Sequence, residues 1–327
     1  MPFSSNDPAD YLAIAKQTAQ RTEATTGFKF LKYLTGGIEP QQDSTTIYEG
    51  GDGQDPGLVY KNRHTADGGI DVYARPDTFA YLSAWAMGSG VVPASTALVA
   101  THVYTPNSTV PFLTVEQAWG GGGQIDRALD SVITNYQLSG TKEEPWKLHV
   151  DFMAGGTVFG GTAARSATIE SGDPGMYANS AVVVNGATSL DVLNWSFGMQ
   201  RDVDGDLFTT GVTRRDIVLL KRNYTLNMQV IVQNRELWTK VYLTASGGTQ
   251  PQALLASGAF HAEVAMTASQ LLAIDVPNLK YLNAQVNSLE PDGQTLIYDV
   301  AAQPLKVGTG VVQIRANITS TPTSYLV

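Results

Sequence analysis

Hydrophobic and polar residues alternate along several stretches of the chain, as in strands that bury one face. Residues 146–152 place Trp, Leu, Val and Phe at every second position, with Lys, His and Asp between them. The same alternation runs through residues 224–232 and 312–318. Because a period of two is typical of antiparallel sheets covered on one side, the sequence predicts a mainly β protein.

Two short segments instead have helical spacing and helix-end residues. The first begins at Pro76, which suits a first helical position, and ends before Gly88, which suits a left-handed C-terminal stop. The second is expected to be capped by Asn234 and to end before Gly247. Each segment follows a predicted strand, so each helix is expected to flank one face of a sheet.

These two strand–helix segments lie at a constant spacing. Phe79 corresponds to Trp238 and His102 to His261, since 238 − 79 and 261 − 102 both equal 159. A length of 327 residues also exceeds the ~100–200 residues of a usual domain. The sequence therefore predicts a duplication, with two similar β-barrel or β-sandwich domains, each carrying a short flanking helix.

The remaining segments suggest how these units are divided. Residues 1–45 are expected to form an N-terminal arm, in which Asp7-Pro8 could open a helix but the threonines that follow favour extended structure. Residues 41–69 are rich in Gly and Asp and predict a long mobile loop, and residues 155–186 predict a linker. We therefore expect a first domain at residues 46–175 and a second at residues 176–327.

Composition points towards assembly and away from nucleic-acid recognition. Charged residues make up only 16% of the chain, whereas soluble domains average ~25%, so much of the surface is expected to be covered by other subunits. The net charge of −9 is unfavourable for a protein that must grip phosphates. No signal peptide or membrane-spanning stretch is recognisable, so we expect a soluble protein that is not secreted and does not contact a membrane.

The chain lacks the usual motifs of catalysis. It has no cysteine, no Gly-Lys dipeptide of a nucleotide-binding loop and no G-x-S-x-G elbow. The four histidines, at 64, 102, 149 and 261, are scattered and are read as strand-surface or interface residues. We therefore predict a protein that is not an enzyme and has no cofactor and no metal.

One acidic segment needs separate consideration. Asp202, Asp204, Gly205 and Asp206 superficially resemble a calcium loop, but an EF-hand needs glycine at position six and glutamate at position twelve. Here glycine is fourth and Thr213 is twelfth. The segment is better interpreted as an Asp-Gly hairpin turn, which we expect to contact either a lumen or a neighbouring ring of subunits.

The order of these parts resembles that of phage tail tube proteins, specifically the two-domain kind found in long-tailed phages. The resemblance rests on Lys16-Gln17-Thr18 followed by Thr22-Glu23-Ala24, and on the segments 68–90, 101–115, 132–155 and 192–249. Within residues 68–90, Arg75-Pro76 precedes the helix. Together they cover most of the chain.

The resemblance implies a structural subunit of the virion tail, made and assembled in the cytoplasm of the bacterial host. Three chains would close a ring of six similar domains, and stacked rings would enclose a lumen through which DNA passes without specific binding. Other tail proteins are then further partners. The alternative is a carbohydrate-binding β-sandwich module that stacks exposed Trp and Tyr on sugars.

Overall fold

A computed structural model describes residues 10–48, 58–88, 100–119, 123–161, 165–166, 168–170, 172–185, 187–188, 192–208, 214, 216–232, 236–243, 255–267, 270–286, 296–306 and 311–318. The first half contains β1 (Tyr11–Lys16), β2 (Lys29–Phe30), β3 (Tyr33–Ile47), β4 (Leu58–Tyr73), α1 (Pro76–Met87), β5 (Ala100–Tyr104), β6 (Leu113–Trp119), β7 (Gln124–Thr141), β8 (Lys147–Met153) and β9 (Gly156–Gly161). The second contains β10 (Ser180–Val184), β11 (Ala187–Thr188), β12 (Val192–Leu207), β13 (Asp216–Ile231), α2 (Glu236–Leu243), β14 (Ser257–Ala265), β15 (Leu271–Val286), β16 (Ile297–Pro304) and β17 (Gln313–Ile318). The prediction of a mainly β protein is confirmed.

The three alternating segments form β8, β13 and β17, and their apolar positions point into the core. Leu148, Leu226 and Ile314 are each fully buried, and each has a half-exposed or exposed neighbour along its strand. The first predicted helix is also confirmed. It begins at Pro76 and ends where Gly88 adopts a left-handed φ of 77° and donates its N–H to the Ala84 carbonyl.

The second predicted helix forms α2, while its expected cap, Asn234, and its expected stop, Gly247, lie outside the described residues.

The structure decides one open alternative and contradicts two expectations about the connecting segments. In the arm, where a helix and extended structure were both open, residues 11–16 form β1, which is buried on both faces and pairs with β6. Most of residues 41–69 belongs to the paired strands β3 and β4, so any loop is confined to residues 48–57, of which 49–57 lie outside the described residues. The expected linker, 155–186, contains β9 and β10. In each case long-range pairing overrides a weak local preference.

Strand pairing repeats between the two halves. Seven pairings in the first half, β1–β2, β1–β6, β3–β4, β4–β8, β6–β7, β7–β8 and β7–β9, reappear in the second as β10–β11, β10–β14, β12–β13, β13–β16, β14–β15, β15–β16 and β15–β17. All are antiparallel. β5 has no counterpart among the described strands.

The positions of irregularities repeat as well. The β3–β4 ladder shifts register after Tyr33, and the β12–β13 ladder shifts after Val192, 159 residues later. The β7–β8 ladder shifts after Ile133 and the β15–β16 ladder after Tyr281, 148 residues later. Because bulges fix which side chains face the core, matched bulges indicate equivalent positions.

This topology corrects one sequence correspondence. His261 lies on β14, which occupies the place of β6, whereas His102 lies on the unmatched β5. The two histidines are therefore not equivalent, although their spacing is 159.

The two halves are joined by strand pairing. β12 pairs with β7, so the strands β3-β4-β8-β7-β12-β13-β16-β15 form one continuous antiparallel sheet, here called the central sheet. β5 of the first half pairs with β17 of the second, and one hydrophobic core runs through both halves. The domain division at residues 46–175 and 176–327, and the barrel or sandwich form of each domain, stay predictions.

Candidate assembly surface

One face of the central sheet packs on the core, and the other carries polar side chains. In the first half this face centres on His149, whose Nδ1 lies 2.8 Å from Asp71 Oδ1 and whose Nε2 lies 2.9 Å from Asp151 Oδ1. Thr35 Oγ1 donates to Asp71, and Asn135 Nδ2 donates to Asp151. Thr35, Asp71, His149 and Asp151 border an open groove of about 550 Å³.

The charges of this cluster stabilise one another. Burial by itself would lower the pKa of His149, but the hydrogen bond that His149 makes to Asp71 and the charge of Asp151 outweigh burial and raise the pKa. Burial would raise the pKa of Asp71, whereas its hydrogen bonds with Thr35 and His149 lower it overall. The histidine therefore balances two carboxylates, and the cluster is a solvated ion network on a strand surface.

On the equivalent face of the second half, amide side chains take the place of most of the charged ones. Asn194 Nδ2 donates to Gln229 Oε1 at 2.6 Å, and Gln229 Nε2 donates to Asp299 Oδ1 at 2.7 Å. The face is therefore hydrophilic along both halves, with carboxylates, amides and hydroxyls, and with Lys147 as a cation at the end of β8 that hydrogen-bonds to Glu144.

The acidic segment lies in a strand and not at a turn. Asp202, Asp204, Gly205 and Asp206 all belong to β12, whose ladder with β13 continues to Leu207. Asp202 accepts a hydrogen bond from Asn223 and lies 3.5 Å from Lys221 Nζ. The prediction of an Asp-Gly turn is therefore wrong, although the segment does belong to the antiparallel pair of β12 and β13.

Arg214 helps to keep β12 extended beyond Gly205 in the β12–β13 hairpin. Its Nε donates to the Gly205 carbonyl at 2.6 Å, and its Nη1 donates to the Ala154 carbonyl and to Asp67 Oδ1 at 2.9 Å. The side chain is only 6% exposed. Since Asp67 and Ala154 belong to the first half, this arginine ties the β12–β13 hairpin of the second half to the first.

A buried glutamate that the sequence analysis missed fastens β1 to its neighbours. The side chain of Glu116 on β6 is fully buried, accepts from Arg127 Nε at 2.6 Å and Arg165 Nε at 3.0 Å, and accepts from the hydroxyl of Tyr11. Burial, reinforced by the hydrogen bond to Glu116, raises the pKa of Tyr11 to about 12. The available signal was a lone acid within the apolar alternation of residues 113–118.

The start of α1 is capped from the connection between the halves. Glu170 accepts hydrogen bonds from the backbone N–H groups of Asp77 and Thr78, each at 2.9 Å, and from the Thr78 hydroxyl. A carboxylate at this end of a helix satisfies otherwise unpaired donors and complements the helix dipole. The residues between the halves therefore take part in the packing of the first half.

Metal-ligand geometry is absent from the described part of the chain. No group of three His, Cys, Asp or Glu side chains there could hold a metal ion, and Asp202 and Asp204 belong to none. His64 lies on β4 and His102 is buried on β5, while His261 lies between Asp275 and Glu263. Among the described helices, none is long and apolar enough to span a bilayer.

The chain matches a known protein family. The family model described as phage tail tube protein matches residues 10–316, which is nearly the whole chain. No curated protein matches.

Proposed function

Because the chain belongs to the phage tail tube proteins, structural components of the virion tail, we propose that three copies close a ring and that stacked rings form a tube around a DNA-conducting lumen. Each chain supplies two four-stranded units, β3-β4-β8-β7 and β12-β13-β16-β15, already joined through β7 and β12. Three copies would therefore contribute six such units. The duplicated pairing is the observation that carries this proposal.

The polar face of the central sheet suits the lumen. DNA repels the carboxylates of Asp71, Asp151 and Asp299, and the amides around Asn194 offer no concentrated positive charge. A duplex could then slide along this face without the counterion release that tight phosphate binding requires. The protein would act on DNA as a conduit, without catalysis.

Contacts between stacked rings are assigned to the two long hairpins. The β3–β4 hairpin exposes Tyr48, Leu58, Val59 and Tyr60, whose exposed fractions range from 47 to 67%. The β12–β13 hairpin exposes Val218 and Leu220 and carries the acidic segment from Asp202 to Asp206. When another ring covers these exposed apolar side chains, they are removed from water, which lowers the free energy of the stacked assembly. Other tail proteins would cover them at the ends of the tube.

Electron microscopy of the purified, concentrated full-length protein tests this proposal, with light scattering on the same sample. Rings or hollow tubes with three- or six-fold end views are the expected result. A chain that stays monomeric at every concentration and also binds members of a glycan array would contradict the proposal and favour the carbohydrate-binding module. Assembly in the host cytoplasm is examined separately, by fractionating infected cells before lysis.

A further inference from the structure

We infer that neighbouring copies join in the ring by pairing residues 38–41 of β3 in one copy with residues 283–286 of β15 in the next, in antiparallel register. This inference rests on the proposed function and gives its ring a specific joint. The partner is a second copy of this chain, and the joint is the counterpart of the β7–β12 pairing within one chain.

The register follows from the matched bulges. Within the chain, Phe197 pairs with Leu138, Gly198 with Gln137 and Gln200 with Asn135. β12 corresponds to β3 with a difference of 159, and β7 corresponds to β15 with a difference of 148. The equivalent pairs between copies are therefore Ile38 with Val286, Glu39 with Gln285, Pro40 with Ala284 and Gln41 with Asn283.

Burial differs between the formed joint and its open counterpart. Phe197 and Leu138 are both 0% exposed where β12 meets β7. Their equivalents are also apolar, but Val286 is 39% exposed and Ile38 is 9% exposed. Pairing with a second copy would bury this valine against Ile38, as Leu138 is buried against Phe197.

Neither strand pairs with a further described strand along the edge in question. Among the described residues, β3 pairs only with β4, and residues 283–286 of β15 pair only with β16. The hydroxyl of Tyr242 on α2 donates to the Ala284 carbonyl and contacts Asn283 Oδ1, so a second copy would take its place along this edge. In the single chain, this edge of β3 also offers fewer backbone N–H groups to another strand. Pro40 has no N–H, and the N–H of Ile38 donates to Gln117 Oε1 at 2.8 Å instead of to a strand. By the same alignment Gln117 corresponds to Ala262 in the second half. Alanine has no side-chain amide that could accept a hydrogen bond from β12, and β12 pairs with β7 instead.

The two helices give an independent indication. α1 packs on β5 and β7 of its own half and on β15 and β17 of the other, and all but one of its residues are buried. α2 packs on β15, and of residues 237–243 only Val241 is buried. A second copy paired with residues 283–286 of β15 would cover α2 as the second half covers α1.

Cysteine cross-linking tests the register, because the chain contains no cysteine of its own. The variant carrying Glu39→Cys and Gln285→Cys is assembled, mildly oxidised and run on a non-reducing gel. The paired positions of an antiparallel ladder lie within the ~4.4–6.8 Å between Cα atoms that a disulfide spans. We expect covalent dimers and trimers, with the series ending at the trimer.

Two control variants calibrate the result. Gln137→Cys with Gly198→Cys lies at the equivalent internal pair and should form a disulfide within one chain. Thr45→Cys with Gln285→Cys keeps the same strands but is displaced by six residues, ~20 Å along β3, and should not cross-link. Rings that form without a Glu39→Cys, Gln285→Cys link would overturn the joint and leave the proposed function standing. If the unmodified chain stayed monomeric at every concentration and bound members of a glycan array, both proposals would fail.

A substitution that needs no disulfide gives a second readout. Val286→Asp would place a carboxylate in the joint, and the concentration needed for ring formation should rise ~10-fold or more. Leu305→Asp is the matched control, since Leu305 is 37% exposed and follows the end of β16 that pairs with Leu279, away from the joint. Equal effects of the two substitutions on ring formation would contradict the inferred joint.

Discussion

Replacing the buried Glu116 by glutamine should destabilise the protein far more than the same change at an exposed ion pair. Glu116 is fully buried and faces Arg127 and Arg165, whose side chains are 14% and 25% exposed. Removing one partner of a buried ion pair costs ~3–5 kcal/mol, because the remaining charge loses its compensation. Here both arginines retain some water contact and Glu23 lies 3.3 Å from Arg127, so we expect about 2–3 kcal/mol.

The matched control is Glu144→Gln. Its pair with Lys147 is equally short, 2.6 Å, but the two side chains are 48% and 44% exposed. Exposed pairs contribute ~0–1 kcal/mol, so this variant should remain close to the parent chain. The comparison therefore separates burial from distance.

Urea unfolding followed by circular dichroism measures both variants. Because total stability is ~5–15 kcal/mol, a loss of about 2–3 kcal/mol should shift the midpoint clearly, with the denaturant slope unchanged. If Glu116→Gln lost no more stability than Glu144→Gln, the stabilising role assigned to the Tyr11, Arg127 and Arg165 cluster would be refuted.

Three further predictions concern pH, backbone conformation and a buried hydrogen bond. The hydrogen bond that His261 donates to Asp275 raises the pKa of this histidine. The stabilisation from this bond should be complete below the unfolded pKa of ~6.5 and should be lost as pH rises through the folded pKa. His261→Gln should remove this pH dependence from unfolding measured across pH. Gly36 has a φ of 114° and no room for a Cβ beside the backbone of β4, so Gly36→Ala should cost ~1–3 kcal/mol, and an unchanged unfolding midpoint would contradict this. Ser83 and Tyr136 share a buried 2.9 Å hydrogen bond, so Ser83→Ala and Tyr136→Phe should each cost ~1–2 kcal/mol, while a double-mutant cycle should find the pair costing less than the sum.

The sequence by itself determined the elements whose ends and faces are encoded locally. Pro76 and Gly88 mark α1 because proline suits a first helical turn and glycine accepts a left-handed φ. Alternating side chains specified β8, β13 and β17 because successive strand residues point to opposite faces. The family resemblance also followed from the order of such segments, and the family match over residues 10–316 agrees with it.

Only the tertiary structure decided which strands pair and where each pairing ends. β1 is a strand because β6 pairs with it, and Asp204-Gly205 continues β12 because β13 and Arg214 hold it extended. The sequence spacing of 159 aligned His102 with His261, yet an unmatched strand separates their roles, since insertions shift the equivalent positions of later strands. Contacts between residues far apart in the chain, such as Phe197 with Leu138, leave no local pattern; they depend on how two surfaces fit once each element has formed.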